Sequence, residues 1–353
     1  MFQLRPLVTT IAIIGLVSNE VAFAENDWLS GVAVDGVLKI MAGYSKDYAD
    51  KDASDIIVHT AILGITAKPN EWTTGRLTYK YEENKTPLSV DDAYIILGNF
   101  DKSPGYLKMG QFVVPFGDFT SHMNSDPLTL VMGETVEKAI LLGFDMNGAY
   151  ASVFGFNGST NDDTNDTIDH FGASAGFAKK MEKMSFDVGI SYLSDIGDTG
   201  TISEKIVPDN GLTTNYDYVD GVGAHFVANM GPAFLIGEYI TALDNFKVEH
   251  FAYKGEGAEP KAWNVEAGLT FNTMGQDLTF AVGYQGTDEA IGLTDPRSGI
   301  QLPASRILGT VAMEIYKNTT VSLEYAFDSD YDVEDGGSGE DAESASLVLA
   351  VTF

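Results

Sequence analysis

The stretch LKMGQFVVPFGDFTSHMNSDPLTLVMGETVEKAILLGF (Leu107–Phe144) reads as a strand, a long insert and a second strand. The first strand pattern ends at Pro115, because a proline ring removes a hydrogen-bond donor from a sheet. The second pattern resumes at Ala139. Residues 115–138, here called the insert, far exceed a hairpin link of about 2–5 residues. The apolar side chains of the insert need a surface to pack against, which predicts that the insert folds inward.

Apolar and polar residues alternate from Gly31 to the end of the chain, so each predicted strand has one apolar and one polar face. We find no helical period of any length. The sequence therefore predicts an all-β fold, a transmembrane antiparallel β-barrel of about sixteen strands. The predicted strands are 32–45, 55–67, 73–83, 90–99, 105–114, 139–146, 148–157, 169–180, 185–194, 218–229, 233–244, 261–272, 277–286, 304–316, 319–328 and 344–353.

The links between these strands alternate between short turns and longer, polar segments. Outer-membrane barrels show this alternation, with short periplasmic turns and longer external loops. The predicted long links are 46–54, 84–89, 115–138, 158–168, 195–217, 245–260, 287–303 and 329–343, which makes the insert the third external loop. The last ten residues, SASLVLAVTF, alternate and stop on Phe353, as expected of a strand that closes a barrel.

The N-terminal residues 1–24 have the pattern of a secretory signal peptide. Arg5 is followed by an apolar stretch from Leu7 to Val17 and by a cleavage pattern at Ala22–Ala24. A buried strand or helix is the alternative. We therefore expect two parts, a signal peptide at 1–24 and an outer-membrane barrel domain at 25–353.

Composition excludes several classes of function. Acidic residues outnumber basic ones 51 to 21, a net charge of −30, which argues against nucleic acid as a partner. The chain has no cysteine, so it has neither disulfides nor thiolate metal sites. The five histidines show no metal-ligand spacing, and no nucleophile, base and orienting group can be named together. We expect no enzyme activity and no cofactor.

Charged residues of the insert and of neighbouring strands are the candidate pore-lining residues. Charges of both signs at a constriction set the ion selectivity of a pore. The alternative is that the insert charges are solvated in a loop and that the strand cations pair with nearby carboxylates such as Asp35 and Glu82. The candidates are Asp118, His122, Asp126, Glu134, Glu137 and Lys138 in the insert, and Lys39, Arg76, Lys80 and Lys108 on the strands.

Two acidic segments, NDDTNDTID (161–169) and DSDYDVEDGGSGEDAE (328–343), contain no lysine or arginine. We expect them to attract divalent cations and to bridge to lipopolysaccharide phosphates. The second begins like a calcium-binding EF-hand loop but lacks the required glycine and glutamate, so no specific metal site is predicted. The weak divalent-cation candidates are Asp162, Asp163, Asp328, Asp330 and Asp332.

Two motifs, GQFVVPFG (110–117) and SDPLTLVMGETVEKAILLGF (125–144), occur in this order. Together they resemble the siderophore porins typified by the legiobactin-uptake outer-membrane receptor. The resemblance implies a plug-free barrel that admits a ferric siderophore across the outer membrane. Only residues 25–30 lie between the expected cleavage site and the first strand, too few for a plug domain.

Three functions remain open at this point. The first is passage of a small hydrophilic solute, foremost a ferric siderophore, through a water-filled barrel constricted by the insert. The second is a general or anion-type diffusion porin, similar to phosphate-selective porins. The third is an adhesive or structural surface protein that acts through its acidic loops. The expected surroundings are outer-membrane lipid and lipopolysaccharide, and the sequence leaves both a homotrimer and a monomer open.

Overall fold

The computed structural model describes residues 31–160, 167–207, 216–273, 275–296 and 299–353. The expected signal peptide lies outside these residues. The described strands form a closed antiparallel barrel of sixteen members, as predicted. Strands that follow one another in the chain pair around the ring, except at one place where a small separate hairpin lies between two paired strands.

The barrel strands lie within a few residues of the predicted ranges. They are β1 (Val32–Lys46), β2 (Asp52–Asn70), β3 (Thr73–Glu82), β4 (Thr86–Leu97), β5 (Gly105–Val113), β6 (Val136–Met146), β7 (Ala149–Phe156), β8 (His170–Lys180), β9 (Met184–Leu193), β10 (Gly221–Met230), β11 (Ala233–Ala242), β14 (Lys261–Thr273), β15 (Gln276–Asp288), β16 (Ser305–Tyr316), β17 (Thr319–Ser329) and β18 (Asp341–Thr352). The small hairpin is β12 (Ala252–Tyr253) and β13 (Glu256–Gly257).

The first and last strands close the ring. β1 and β18 pair from Val37 opposite Thr352 to Lys46 opposite Glu343. Beyond the ladder, the backbone N–H of Phe353 donates to the Gly36 carbonyl (3.1 Å), and Gly36 returns a bond to the Phe353 carbonyl (2.8 Å). The terminal strand therefore has no unpaired edge on this side, and we call the β1–β18 contact the seam.

Each strand presents apolar side chains outward and mostly small or polar ones inward. On β17, Leu323 and Tyr325 are 57% and 50% exposed, whereas Ser322 and Glu324 are 2% and 3% exposed. Apolar residues on the exposed face and a glutamate on the buried face are expected of a barrel whose outer surface contacts lipid and whose interior is polar.

The links differ in size between the two ends of the barrel. Most turns at one end are two or three residues, for example Asn147-Gly148 and Lys317-Asn318. The other end carries most of the long links. One expected long link is short: residues 83–85 alone join β3 to β4, because β4 begins at Thr86 and not at the predicted 90.

Two short helices lie in the long links, where the sequence pattern predicted none. They are α1 (Leu128–Gly133), inside the insert, and α2 (Gly200–Ile206), between β9 and β10. In the described part of the chain, no helix has the length and apolar character needed to cross a membrane.

Candidate functional site

The insert leaves β5 through a sharp turn that fixes its direction. Gly117 and Phe119 both have positive φ, 89° and 59°. A Cβ at Gly117 would lie 2.4 Å from the Phe119 ring, so this position requires glycine. The Gly117 N–H donates to Ser191 Oγ on β9 (3.1 Å), which is the insert's first contact across the barrel.

Glu238, on the inward face of β11, binds the next part of the insert. Its carboxylate accepts hydrogen bonds from the backbone N–H groups of Asp118 (2.6 Å) and Phe119 (3.2 Å). It also accepts one from the Thr129 hydroxyl (2.6 Å). One buried glutamate thus connects the start of the insert to α1.

Two further inward glutamates repeat this arrangement. Glu266 on β14 accepts the His122 N–H (2.7 Å) and the Ser121 hydroxyl (2.8 Å). Glu324 on β17 accepts the N–H groups of Asn124 (2.5 Å) and Ser125 (3.0 Å). The insert therefore meets a carboxylate about every three residues along one half of the ring.

The return path of the insert is apolar. All six residues of α1 are buried. Four of them, Leu128, Leu130, Val131 and Met132, belong to a hydrophobic cluster that includes Phe112 on β5, Leu141 on β6 and Ile202 on α2. The carbonyls at the end of α1 are bound by the link that carries α2. Thr199 Oγ1 donates to Met132 O (2.6 Å), and Thr201 Oγ1 donates to Val131 O (3.0 Å).

Lysines hold the insert on the opposite side of the ring. Lys85 Nζ lies 3.5 Å from Asp126 and 3.9 Å from Glu82. Lys80 lies 3.3 Å from Glu82 and also attracts Glu134 electrostatically. Burial raises the pKa of Glu134, and the two lysines oppose that rise. The insert thus contacts carboxylates on β11, β14 and β17 and cations near β3.

The predicted insert residues fall in different places. Asp118 accepts a hydrogen bond from the Thr120 N–H (3.3 Å), and Asp126 and Glu134 face the lysines. The His122 ring stacks on Phe234 of β11, with centroids 3.9 Å apart. Burial lowers the pKa of His122 to about 4, so it is neutral at pH 7.

Two of the predicted insert residues belong to a strand instead. β6 begins at Val136 and not at 139, because the ladder continues from Val113 opposite Val136. Glu137 shares the inward face with Ala139 and Leu141, whereas Lys138 shares the exposed face with Ile140. The expectation that Lys138 sits in a constriction therefore disagrees with its outward position.

The four strand cations all have inward positions. Arg76 pairs with Asp35 through Nη2 and Oδ2 (2.8 Å), which is the alternative considered for it. Lys108 Nζ lies 3.9 Å from the ring centroids of both Tyr94 and Phe112. Lys39 is half-buried on β1. Arg76 thus lies beside a carboxylate and Lys108 between two aromatic rings.

Among the described residues, the weak divalent-cation candidates Asp328, Asp330 and Asp332 do not form a metal-binding group. Asp162 and Asp163 lie outside the described residues. Asp328 forms a two-point pair with Arg306 (2.7 and 2.8 Å). Asp330 accepts from Ser338 N–H and Oγ (both 2.6 Å), and Asp332 precedes a short 3-10 turn.

A cluster of His170, Asp195 and Asp198 was not anticipated from the sequence. Its ligand-type atoms lie within 4.8 Å of one another in the described part of the chain. His170 Nδ1 bonds Asp198, whose other oxygen accepts from the Ser159 N–H (2.7 Å). Asp195 accepts from the Tyr216 hydroxyl (2.7 Å), and burial and Asp198 raise its pKa to about 6. These bonds tie the link between β7 and β8 to the link between β9 and β10.

The three wall glutamates were also missed. Each stands alone between apolar neighbours in a strand, in IGEYI (236–240), NVEAG (264–268) and SLEYA (322–326). A single glutamate at an inward position of an otherwise apolar segment was the available signal, since a buried carboxylate requires donors.

Solvent access differs around the inner wall. In the half nearer the long links, the inward side chains of β7, β11, β14 and β15 are buried under the insert and its neighbours. At the seam, Gly43, Ser45 and Ser344 are inward and only half-buried, and Ser346 accepts a hydrogen bond from Asn124 Nδ2 of the insert (3.2 Å). The described interior is therefore less covered at Gly43, Ser45 and Ser344 than on the side opposite the seam.

Comparison with known proteins supplies relatives but no family. No protein-family model matches the chain. A UPF0422 protein of Coxiella burnetii is 28% identical over 309 residues, covering 85% of this chain and 64% of that protein. The UPF0422 protein lpg2959 of Legionella pneumophila is 26% identical over 337 residues, covering 85% and 62%. The chain spans less than two thirds of the length of these relatives.

Several solved outer-membrane proteins have a similar structure. OmpF of Salmonella typhi has a TM-score of 0.62 at 13% identity and covers 91% of this chain and 97% of its own. OprB of Pseudomonas putida has 0.60 at 12%, covering 92% and 94%. OmpT of Vibrio cholerae, in a trimer form, has 0.51 at 11%, covering 91% and 99%. With its closed ring and apolar outer face, the chain has the fold of bacterial outer-membrane porins and is placed in the outer membrane.

Proposed function

We propose that the protein is a diffusion porin for small hydrophilic solutes and that the insert sets its constriction. This proposal rests on the observation that the insert covers only part of the inner wall of the barrel. Bonds to Ser191, Glu238, Glu266 and Glu324 hold the insert over one part of the interior. The seam side keeps half-buried small residues. A barrel of sixteen strands is wide enough to leave an aqueous channel.

The proposed solute path follows the inner face of β18, β1 and β3. The small side chains of serines and glycines on β1 and β18 leave this path wide. Charged residues line the path nearer the middle of the barrel. These are Lys39, the Arg76–Asp35 pair and Lys80 on the wall, with Asp126 and Glu134 on the insert. Opposed charges at this level favour polar solutes over apolar ones.

Cysteine accessibility tests this path cleanly, because the chain has no native cysteine. We expect an anionic methanethiosulfonate reagent to reduce the single-channel conductance of Ser344→Cys in planar bilayers. Ser152→Cys is the matched control, since Ser152 is inward on β7 but buried beside Ser174 (2.8 Å). If the reagent reduces the conductance of the Ser152 variant alone, or of neither variant, the solute path lies elsewhere. A wild-type barrel without conductance would overturn the porin function.

For the solute, we propose a ferric siderophore, supported by the two motifs at 110–117 and 125–144. A mutant that lacks the protein should take up the radiolabelled ferric siderophore several-fold more slowly. Normal uptake in that mutant would remove the siderophore and leave the porin in place.

A general diffusion porin is the second candidate, and the wall charges favour it. Arg76 pairs with Asp35, Lys80 with Glu82, and Arg306 with Asp328. Because these cations are paired with carboxylates, they do not form a continuous positively charged surface on the wall. We therefore expect the pore not to select strongly for anions. Equal liposome swelling with neutral and anionic sugars of one size would support this candidate.

A further inference from the structure

A cavity of about 430 Å³ lies between the insert and the short-turn end of the barrel. Thr120 and His122 of the insert bound it on one side. Four strands form its wall, with Val227 and Asn229 on β10, Phe234 and Ile236 on β11, Thr270 on β14 and Asp277 on β15. Pockets that bind small molecules have volumes of about 300–1,000 Å³, so this cavity has room for one.

The cavity lies just beyond the contacts that hold the insert. On β11, Phe234 is nearer the turn at 231–232 than Glu238, which binds the insert. On β14, Thr270 is nearer the end of the strand than Glu266, which also binds the insert. The turn residue Pro232 lines the cavity as well. A ligand in the cavity would therefore contact the docked insert and the wall together.

The His122 ring, which lines the cavity, has an unpaired nitrogen. His122 is only 9% exposed, and in the described part of the chain its Nδ1 has no hydrogen-bond partner. The ring stacks on Phe234, which in turn extends over Gly268, where a Cβ would lie 2.3 Å from Phe234 Cζ. Leaving a buried polar group unpaired is costly, so a ligand that bonds this imidazole would remove that cost.

The charges of this part of the wall favour a cation. Glu238, Glu266 and Asp277 are inward on β11, β14 and β15. Lys261 is the single lysine or arginine of β10, β11, β14 and β15, and it lies on the outer face. Asp277 Oδ1 accepts a hydrogen bond from Asn272 Nδ2 (2.9 Å), and among the described residues its other oxygen has no partner. Asp277 therefore has an oxygen available for a positively charged ligand.

The lining of the cavity suits an organic cation better than an inorganic one. An inorganic cation takes several oxygen or nitrogen ligands, whereas Asp277 is the one carboxylate in the lining. Within the described ranges, the one group of three side chains with metal-ligand spacing is the His170 cluster, which lies elsewhere. Much of the remaining surface is apolar, for example Val227, Phe234 and Ile236. An organic cation can use both the carboxylate and these apolar side chains.

We propose that the cavity binds a small organic cation, whose ammonium group pairs with Asp277 and whose apolar body packs on Phe234 and Ile236. A second donor group on the ligand bonds the imidazole of His122. This ring can accept a hydrogen bond at pH 7, because burial lowers its pKa to about 4 and a neutral imidazole has one free lone pair. The site goes beyond the porin function, since equilibrium binding does not require a conducting path.

Titration calorimetry of the purified full chain in detergent, with detergent alone as the blank, tests the site. The probe is tyramine, which carries an ammonium group and a phenol hydroxyl at opposite ends of an aromatic ring. We expect one tyramine per chain, and at least tenfold weaker binding of tyrosol, which has a hydroxyl in place of the ammonium group. Asp277→Asn should weaken tyramine binding at least tenfold. Asp101→Asn is the matched control, because Asp101 is exposed in the short turn between β4 and β5.

A second variant tests the role of His122. His122→Phe keeps a ring against Phe234 but has no nitrogen, so tyramine should bind several-fold more weakly. Phenethylamine, which lacks the phenol hydroxyl, should bind this variant and the wild type equally. An equal loss of affinity for both amines would refute the hydrogen bond to His122.

Two results would overturn the site: no saturable binding of tyramine to the wild-type protein, or equal affinity of the wild type and Asp277→Asn. Equal affinity for tyramine and tyrosol would refute its selectivity for a cation. Folding of each variant is checked by the heat-dependent gel migration of the closed barrel. Liposome swelling with sugars in the same preparations separates the two proposals. Normal swelling without tyramine binding refutes the cation site alone, whereas binding without swelling refutes the porin alone.

Discussion

At the scale of single residues, Glu238, Glu266 and Glu324 give the insert its position. Each carboxylate lies on the inward face of a strand and receives two or three donors from the insert. A hydrogen bond to a charged group contributes about 1.5–3 kcal/mol, and an orphaned buried donor costs a similar amount. Because burying a carboxylate is itself costly, these glutamates specify one insert conformation more than they add to net stability.

His122 predicts a pH dependence at the same scale. Its pKa is lowered to about 4 by burial, against an ordinary value of 6.5. As pH falls below 6.5, the unfolded chain binds a proton that the folded chain refuses, so stability is lost between pH 6.5 and about 4. The loss is at most about 3 kcal/mol.

Urea unfolding of the wild type and of His122→Asn at pH 7.5 and 4.5 measures this effect. We expect the wild type to lose more stability on acidification than the variant, which has no imidazole to protonate. Other carboxylates titrate equally in both proteins and cancel in the difference. An identical pH response in the two proteins would contradict the assignment to His122.

At the scale of elements, α1 depends on a link from elsewhere in the chain. The last carbonyls of a helix lack partners within the helix. Here Thr199 and Thr201 supply donors to Met132 and Val131, and the Gly200 N–H donates to Glu134 O (2.9 Å). The link that carries α2 therefore acts as a clamp on the insert.

Removal of the Thr199 hydroxyl should loosen this clamp. Thr199→Val keeps the shape but leaves the Met132 carbonyl without this donor, at a cost of about 1 kcal/mol. We expect more frequent conductance fluctuations in single-channel records, while Thr199→Ser should behave like the wild type. Equal fluctuation in both variants would indicate that packing, and not the hydrogen bond, holds α1.

At the scale of the whole molecule, the seam decides whether the barrel closes. The Phe353 ring lies over Gly36 on β1, where a Cβ would come within 2.5 Å of Phe353 Cζ and 2.8 Å of the Ile62 carbonyl oxygen. The terminal aromatic residue thus rests on the one strand that completes the ring.

Gly36→Ala should therefore weaken closure. We expect a lower folded fraction by heat-dependent gel migration and a lower urea midpoint than in Gly75→Ala. Gly75 on β3 is the matched control, since a Cβ there meets nothing within 4 Å. If the two variants unfold at the same midpoint, the contact between Phe353 and Gly36 carries no stability.

The barrel strands can be predicted from the sequence, whereas the contacts inside the barrel cannot. The alternation of outward and inward residues in a strand, such as Leu323 and Glu324, repeats every two residues, so a short stretch of sequence is enough to predict it. The partners of the insert cannot be predicted from the local sequence, because Asn124 and Glu324 are 200 residues apart in the chain and come together only when the barrel has closed. α1 escaped notice because six residues are too few to show a helical period.

The order in which the insert's partners occur along the chain has a consequence for biogenesis. Every strand that holds the far side of the insert comes later in the sequence, at separations of 120, 144 and 199 residues. During assembly the insert cannot complete its contacts until β17 is in place, since closing so long a loop is entropically costly before its contacts exist. The barrel strands therefore assemble before the insert has docked, and the insert docks last. A chaperone that binds the insert would speed maturation more than one that binds any strand.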